Sequence, residues 1–240
     1  MDTADHAAHK GASSKETDLS LSLKVGDFIQ RSRFLFIGLG VALLAALLAI
    51  AVVSQVRASG DRSAALAMDA LVRDGNSWGA ESDATKKADL EKKLIAGLDS
   101  MIASHRGSVW AQQAWDMKAT MAESRKDWAE AEKDWMEASK ILPGSFIAPV
   151  SLQNAAAAAE ELGANDRAAA HWKAFVDGYA GKAAGIPHAW FALGRLAEDS
   201  KDYATATTDY EKIAANWPDS DWTKLAKDRI LTLKSRGLAK

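Results

Sequence analysis

The chain has 240 residues, a near-even charge balance of 30 Lys and Arg against 32 Asp and Glu, and no cysteine. Acidic and basic residues are interspersed, so no basic stripe indicates a nucleic-acid partner. The lack of cysteine excludes a disulfide framework, a thiol nucleophile and a lipoprotein anchor.

The first 33 residues read as a polar tail. Residues 1–22 carry four acidic side chains, two lysines and no aromatic residue. This composition cannot bury a core, so the sequence predicts a disordered segment that becomes juxtamembrane near its end. His6 and His9 lack Cys or carboxylate partners at ligand spacing, and we expect no metal site there.

Residues 34–53 (FLFIGLGVALLAALLAIAVV) contain no charged and no strongly polar side chain. As an α-helix this run would span about 30 Å, the thickness of a bilayer hydrocarbon core. The sequence therefore predicts a transmembrane helix over residues 34–56. A buried core helix is disfavoured because the run has no polar stripe. A cleaved signal peptide, with Ala49-Ile50-Ala51 as its site, is the other alternative, but the run is long for one and begins late.

The residues that flank this run indicate its orientation. Three basic residues lie shortly before it and two shortly after it: Lys24, Arg31 and Arg33, then Arg57 and Arg62. Cytoplasmic flanks carry the excess of Lys and Arg, so the bias predicts a cytoplasmic N-terminus.

Small residues recur every four positions within the predicted span, at Gly38, Ala42 and Ala46. Such a stripe allows close approach of two helices in lipid. One hypothesis is that this face docks on another membrane helix, either a second copy or a partner. The alternative is that the span is only an anchor.

Residues 57–240 hold all nine Trp residues, and their apolar residues recur at helical spacing without a run typical of a strand. The pattern predicts an all-α domain. Its first helix is predicted over residues 61–73 and is expected to end at Asp74-Gly75-Asn76-Ser77. A second helix is predicted over residues 84–105, with Asp83 as its N-cap.

The clearest repeat covers residues 187–220. Seven of its residues fall at the consensus offsets of a 34-residue helical hairpin, and the segment resembles the tetratricopeptide repeat (TPR): Trp190, Leu193, Gly194, Tyr203, Ala206, Tyr210 and Pro218. Gly194 and Ala206 are small enough to let the two helices cross closely. Pro218 cannot continue the second helix.

Two further copies lie upstream. Residues 112–145 place Trp115, Ala119, Trp128, Ala131 and Trp135 at equivalent positions, with Lys118 where Leu is usual. Residues 149–182 form a weaker copy that lacks the aromatic residue after the inter-helix turn.

The copies start 37 to 38 residues apart, and the excess over 34 is assigned to the Gly-rich connections. A capping helix is predicted over residues 220–236. The predicted fold is therefore one transmembrane helix followed by a TPR-type solenoid of helical hairpins.

No catalytic motif is present: the chain has no phosphate-binding loop, no HExxH and no GxSxG. His105, His171 and His188 are isolated in the sequence, and Glu160 and Glu161 are expected on a solvated helix face. The sequence therefore predicts a protein that is not an enzyme and that has no cofactor and no metal site.

In a TPR stack the first helix of each repeat lines a concave groove. By consensus offset the groove candidates are Gln113, Asp116, Thr120, Glu123, Val150, Gln153, Ala157, Glu160, His188, Phe191, Arg195 and Glu198. The Lys, Arg and Asn residues with which some TPR domains clamp a C-terminal carboxylate are mostly absent. A receptor for such chaperone tails is therefore disfavoured.

The whole layout, with a Ser/Ala-rich first helix opening at Arg62-Ser63-Ala64-Ala65-Leu66-Ala67, is similar to the single-span bacterial inner-membrane TPR proteins that include the ancillary subunit of the Sec translocon. The resemblance implies a periplasmic helical domain and protein partners such as translocon subunits, chaperones or exported chains. Two functions stay open. One is an adaptor that binds proteins through its groove. The other is an assembly subunit that docks one neighbour or forms a homo-oligomer.

Overall fold

The computed structural model describes residues 33–239, with the side chains of residues 46–48 and of residues 60–239. This part of the chain contains nine α-helices and no strand, which confirms the all-α prediction for it. The helices are α1 (Arg33–Ala80), α2 (Ala84–Ser104), α3 (Val109–Ser124), α4 (Trp128–Ile141), α5 (Ile147–Glu161), α6 (Asn165–Tyr179), α7 (Ile186–Asp199), α8 (Tyr203–Asn216) and α9 (Asp221–Ser235). The described chain divides into two units, with the boundary between Arg62 and Ser63.

The predicted membrane span falls mostly on side chains that the structure does not describe. Among the described residues, no helix is both long enough and apolar enough to cross a membrane. At Gly38 and Ala42 the structure describes only the helical backbone, whereas Ala46 is exposed. Residues 1–32, including His6 and His9, lie outside the described residues altogether.

The predicted end of the first helix at Asp74-Gly75-Asn76-Ser77 is wrong, because α1 continues to Ala80. Gly75 lies inside the helix and not in a turn: a Cβ at this position would lie 2.0 Å from the terminal methyl group of Met117, which would have to move aside. Trp78, which is 8% exposed, packs in the core beyond Gly75 and donates a hydrogen bond to Glu91 at 3.2 Å. These contacts outweigh the weak helix propensity of the segment.

Helices α3 to α8 form three consecutive helical hairpins, α3–α4, α5–α6 and α7–α8, in which each helix contacts the next. The first and third hairpins use the same turn. Lys126 and Lys201 take a positive φ of 60° and 64°, and the following Asp127 and Asp202 each cap the second helix through a side-chain oxygen. The second hairpin turns at Gly163, with φ 65° and no side-chain cap.

Most residues assigned to repeat packing lie between the helices. Seven are buried: Ala119, Ala131, Trp135, Leu193, Gly194, Ala206 and Tyr210. Four are partly buried, namely Trp115, Trp128, Trp190 and Tyr203, and Pro218 is exposed just after α8. At Gly194 the two helices of the third hairpin come so close that a Cβ would lie 2.5 Å from the Tyr210 ring.

Lys118, the departure from the repeat pattern, belongs to a cluster of charged groups between α2, α3 and α4. Its ammonium group lies 2.8 Å from Asp99 of α2 and 4.8 Å from the centroid of the Trp115 ring. Asp134 of α4 is 2% exposed and is also influenced by the charge of Lys118. Burial raises the pKa of Asp134 to about 6, although the positive charge of Lys118 opposes the shift.

Replacing Gly194 by Ala tests the close crossing in the third hairpin. The added methyl group would press on Tyr210, which is fully buried and cannot move aside, so we expect a loss of about 1–3 kcal/mol of unfolding free energy. Gly178→Ala is the matched control, because a Cβ there meets no atom within 4 Å. It should instead stabilise α6 by roughly 0.5–1 kcal/mol. Urea denaturation measures the change in unfolding free energy of each variant. Equal changes in Gly194→Ala and Gly178→Ala would show that the two helices do not cross closely at Gly194.

Asp134→Asn tests the buried carboxyl. The pKa of Asp134 is about 6 in the folded chain, against an ordinary aspartate pKa of 3.8. Between these pH values the carboxyl group is therefore protonated in the folded chain and ionised in the unfolded chain. The contribution of Asp134 to unfolding free energy therefore rises as the pH falls from about 6 towards 4. Urea denaturation should show that the unfolding free energy of the wild type, relative to that of Asp134→Asn, increases as the pH falls across this range. Parallel curves for the wild type and Asp134→Asn would refute the assignment.

Candidate functional site

The groove candidates lie along one side of α3, α5 and α7, which we call the first-helix face. Helix α3 contacts α5, and α7 contacts α9. Exposure along the face is uneven. Four of its residues are exposed, and all four lie on α3 and α5: Thr120, Glu123, Val150 and Ala157. The candidates on α7 are all at least partly buried.

Glu160 ties the second hairpin to the third, in contrast to the solvated role expected for it. Its Oε1 accepts a hydrogen bond from the indole N–H of Trp172 at 2.7 Å, within its own hairpin. Its Oε2 accepts from the guanidinium of Arg195 on α7. The Glu160 side chain is 19% exposed, so this ion pair is only partly screened by solvent.

Glu198 repeats this arrangement between the third hairpin and α9. Its Oε1 accepts from the Tyr210 hydroxyl at 2.7 Å and from Nε of Arg229 at 2.9 Å, and its Oε2 accepts from Nη2 of Arg229. Burial alone would raise the pKa of Glu198, but the hydrogen bonds from Arg229 and Tyr210 outweigh it and lower the pKa. We call these two arrangements the glutamate braces.

Sequence reasoning missed the braces, although the sequence carries their signal. In both, the aromatic donor lies 12 residues after the glutamate, and the arginine lies 35 or 31 residues after it. These separations place the three groups at the same repeat positions each time. A search for polar groups that recur with the repeat would have found them.

Three predicted groove residues on α7 are occupied by packing. His188 stacks on Trp222 of α9 at 4.4 Å and meets the edge of Trp172 at 5.1 Å. Phe191 lies 5.3 Å from the rings of both Tyr210 and Trp222. Burial lowers the pKa of His188 and favours its neutral form. Because Arg195 is also paired with Glu160, most groove candidates on α7 already have partners within the protein. This part of the first-helix face is therefore poorly suited to bind a ligand.

The joint between the first and second hairpins has no glutamate brace. Glu123 occupies the brace position, but Ala157 lies where the next hairpin carries Arg195. Glu123 is exposed and has no ion pair among residues 33–239. The nearby Asp116 accepts a hydrogen bond from Ser151 at 3.0 Å, and burial raises its pKa.

The ion pair of this joint lies on its other side, between the second helices. Glu132 of α4 accepts two hydrogen bonds from Arg167 of α6, at 3.0 and 3.1 Å, and lies 2.9 Å from His171. Burial opposes ionisation of Glu132, but the hydrogen bonds from Arg167 and His171 prevail and lower its pKa. The first-helix face between α3 and α5 is crossed by the Asp116–Ser151 hydrogen bond but by no ion pair among the described residues. We call this section open because its groove candidates Thr120, Glu123, Val150 and Ala157 are exposed.

A cavity of about 930 Å³ opens at the end of the second hairpin. We call it the edge pocket. It is bounded by the α4–α5 connection, the start of α5, the end of α6 and the α6–α7 connection. Val150 and Gln153, predicted in the groove, lie on its wall. The Tyr179 hydroxyl donates a hydrogen bond to the carbonyl of Pro143 at 3.0 Å and joins α6 to the α4–α5 connection.

Comparison with solved structures finds similarity to TPR domains. The TPR domain of OM64 from Arabidopsis shares 22% identity at a TM-score of 0.40, over 50% of this chain and 93% of that domain. The Sgt2 TPR domain from Aspergillus fumigatus shares 25% identity at a TM-score of 0.41, over 54% of this chain and 85% of that domain. No protein-family model and no curated protein matches the chain.

Glu160→Ala tests the first glutamate brace. The variant leaves the Trp172 indole and Arg195 without their acceptor, so we expect a loss of about 1–3 kcal/mol of unfolding free energy. Glu123→Ala is the matched control at the same repeat position and should change stability by less than about 0.5 kcal/mol. Chemical denaturation of the full chain measures both. Similar losses in the two variants would show that the brace contributes nothing specific.

Proposed function

We propose that the chain is a membrane-anchored adaptor that binds proteins or peptides at the extracytoplasmic face of a bacterial inner membrane, in support of protein export or a chaperone network. The observation that carries the proposal is the open first-helix face between α3 and α5. A concave face of stacked helices is a surface suited to an extended or helical segment of another protein.

The charges on this open section indicate the kind of segment that would fit. The first-helix face of α3 and α5 carries Asp116, Glu123 and Glu160 and no Lys or Arg among its predicted groove residues. Glu160 is already paired with Arg195. Asp116 accepts a hydrogen bond from Ser151, whereas Glu123 is exposed. The negative charge of Glu123 favours a neutral or basic segment over a C-terminal carboxylate.

Membrane anchoring belongs to the proposal and is supported by the uncharged run over residues 34–53. The helical backbone of α1 is continuous through this run, from Arg33 to Ala80. The basic residues ahead of the run favour a cytoplasmic N-terminus. We propose no catalytic role.

Single cysteines in the full chain test both the topology and the binding face, because the native chain has no cysteine. Three variants are treated in intact spheroplasts with a membrane-impermeant benzophenone maleimide and then irradiated. Ala157→Cys lies on the first-helix face, Ala170→Cys is an exposed control on α6, and Ser14→Cys lies in the tail. We expect labelling at Ala157→Cys and Ala170→Cys, labelling of Ser14→Cys only after lysis, and crosslinked proteins only from Ala157→Cys.

The outcomes separate the parts of the proposal. Labelling of Ser14→Cys alone would place the helical domain in the cytoplasm and refute the extracytoplasmic role. Equal crosslinking from Ala157→Cys and Ala170→Cys would refute the binding face. Many substoichiometric partners at Ala157→Cys would support an adaptor, whereas one stoichiometric partner would favour an assembly subunit.

A further inference from the structure

We propose that the edge pocket is a separate peptide-binding subsite, which takes an apolar segment flanked by acidic residues. The proposal rests on the proposed function in one respect, namely that the helical stack binds protein segments. It adds a second place of binding, which shares only Val150 and Gln153 with the first-helix face, and a defined ligand chemistry.

The size and the walls of the edge pocket suit a preformed site. Its volume of about 930 Å³ lies within the usual range for ligand sites, about 300–1,000 Å³. One wall is fixed by the hydrogen bond from Tyr179 to Pro143. Another is fixed where Gln153 donates to the carbonyl of Pro149 at 3.3 Å and packs directly against Gly185.

The lining of the edge pocket is mainly apolar and includes two large residues that the fold leaves in water. Phe146 is 78% exposed and Val150 is 48% exposed, four residues apart at the start of α5. They lie on the same side of the helix, so they form one apolar surface. A contiguous exposed apolar surface rimmed by polar groups is typical of an interaction site.

The floor of the edge pocket is kept empty by small residues on α6. Gly178 is exposed in the last turn of α6, and a Cβ there would meet no atom within 4 Å. A glycine inside a helix lowers stability by about 0.5–1 kcal/mol relative to alanine. At Gly178 no neighbouring atom would clash with a Cβ, so packing does not explain the glycine. Gly194, by contrast, is required by the Tyr210 ring. The absence of a side chain at Gly178 leaves volume for a ligand.

The charge of the pocket lining indicates which residues should flank the apolar segment of the ligand. Lys182 is the only charged residue that lines the edge pocket. It is exposed and makes no ion pair within residues 33–239. The other polar side chains of the lining already have partners: Ser145 accepts from the Ala148 amide at 3.2 Å, and Tyr179 and Gln153 donate to backbone carbonyls. Charge complementarity therefore favours a carboxylate beside the apolar segment.

The repeat length explains why a cavity exists at this position. The hairpins start 37 to 38 residues apart, three to four more than the 34 of the TPR consensus. Part of the excess lies in the α4–α5 and α6–α7 connections, which have five and six residues against four between α8 and α9. Both of these connections line the edge pocket.

Fluorescence anisotropy of a labelled pentapeptide tests the proposal on the full chain in lipid nanodiscs, with empty nanodiscs as the blank. The probe has the sequence Asp-Leu-Trp-Leu-Asp, and its charge-reversed counterpart is Lys-Leu-Trp-Leu-Lys. We expect saturable binding of the acidic probe. Gly178→Leu should fill the floor and weaken binding by about tenfold or more, equivalent to about 1.4 kcal/mol. Ala174→Leu, on the same floor, is a second filling variant.

Two controls make the result specific. Gly79→Leu places the same side chain at an exposed helical glycine of α1 whose Cβ would meet no atom within 4 Å, and it should leave binding unchanged. Lys182→Glu should weaken the acidic probe and strengthen the basic one. Circular dichroism confirms that each variant is folded.

No saturable binding, or equal affinity in Gly178→Leu, Ala174→Leu and Gly79→Leu, would overturn the subsite. Equal affinity for the two probes would overturn its charge preference. The adaptor proposal is tested separately, since crosslinking from Ala157→Cys does not pass through the pocket. Probe binding without those crosslinks would support the subsite and refute the adaptor, and crosslinks without probe binding would do the reverse.

Discussion

A glutamate near the end of a first helix holds the C-terminal half of the stack together. Glu160 and Glu198 each accept a hydrogen bond from an aromatic side chain of their own hairpin and pair with an arginine of the next element. Their side chains are 19% and 10% exposed, so both the ion pair and the hydrogen bond form partly out of water, where each is stronger than at a surface. One carboxylate thus fixes the geometry within a hairpin and between neighbours.

The braces also decide which part of the first-helix face can bind a partner. Where they are present, Arg195 is paired, and His188 and Phe191 pack against Trp222 of α9. Where Ala157 replaces the arginine, the ion pair of the joint lies between the second helices, at Glu132, and four groove candidates on α3 and α5 stay exposed. The proposed adaptor role depends on the inter-hairpin ion pair lying between the second helices at this joint and not on the first-helix face.

Local features could be predicted from the sequence, because their causes lie within a few residues. Asp83 caps α2 through the Lys86 amide, and Trp217 and Pro218 end α8. The role of Lys118 could not be predicted, since its partner Asp99 lies on a preceding helix. The same holds for Gly75, which reads as a helix end until Met117 is known to lie against it. Groove candidates were placed by offset alone, and offset does not show which of them a neighbouring helix covers.

A double-mutant cycle on Glu198 and Arg229 tests the central claim most directly. The unfolding free energies of Glu198→Gln, Arg229→Gln and the double variant are measured in the full chain at neutral pH. The two side chains are joined by two hydrogen bonds, so we expect a coupling energy of about 1 kcal/mol or more. Because hydrogen bonds lower the pKa of Glu198, the coupling should persist at mildly acidic pH and fade only when that carboxylate is protonated. A coupling indistinguishable from zero would show that the stack does not depend on its braces.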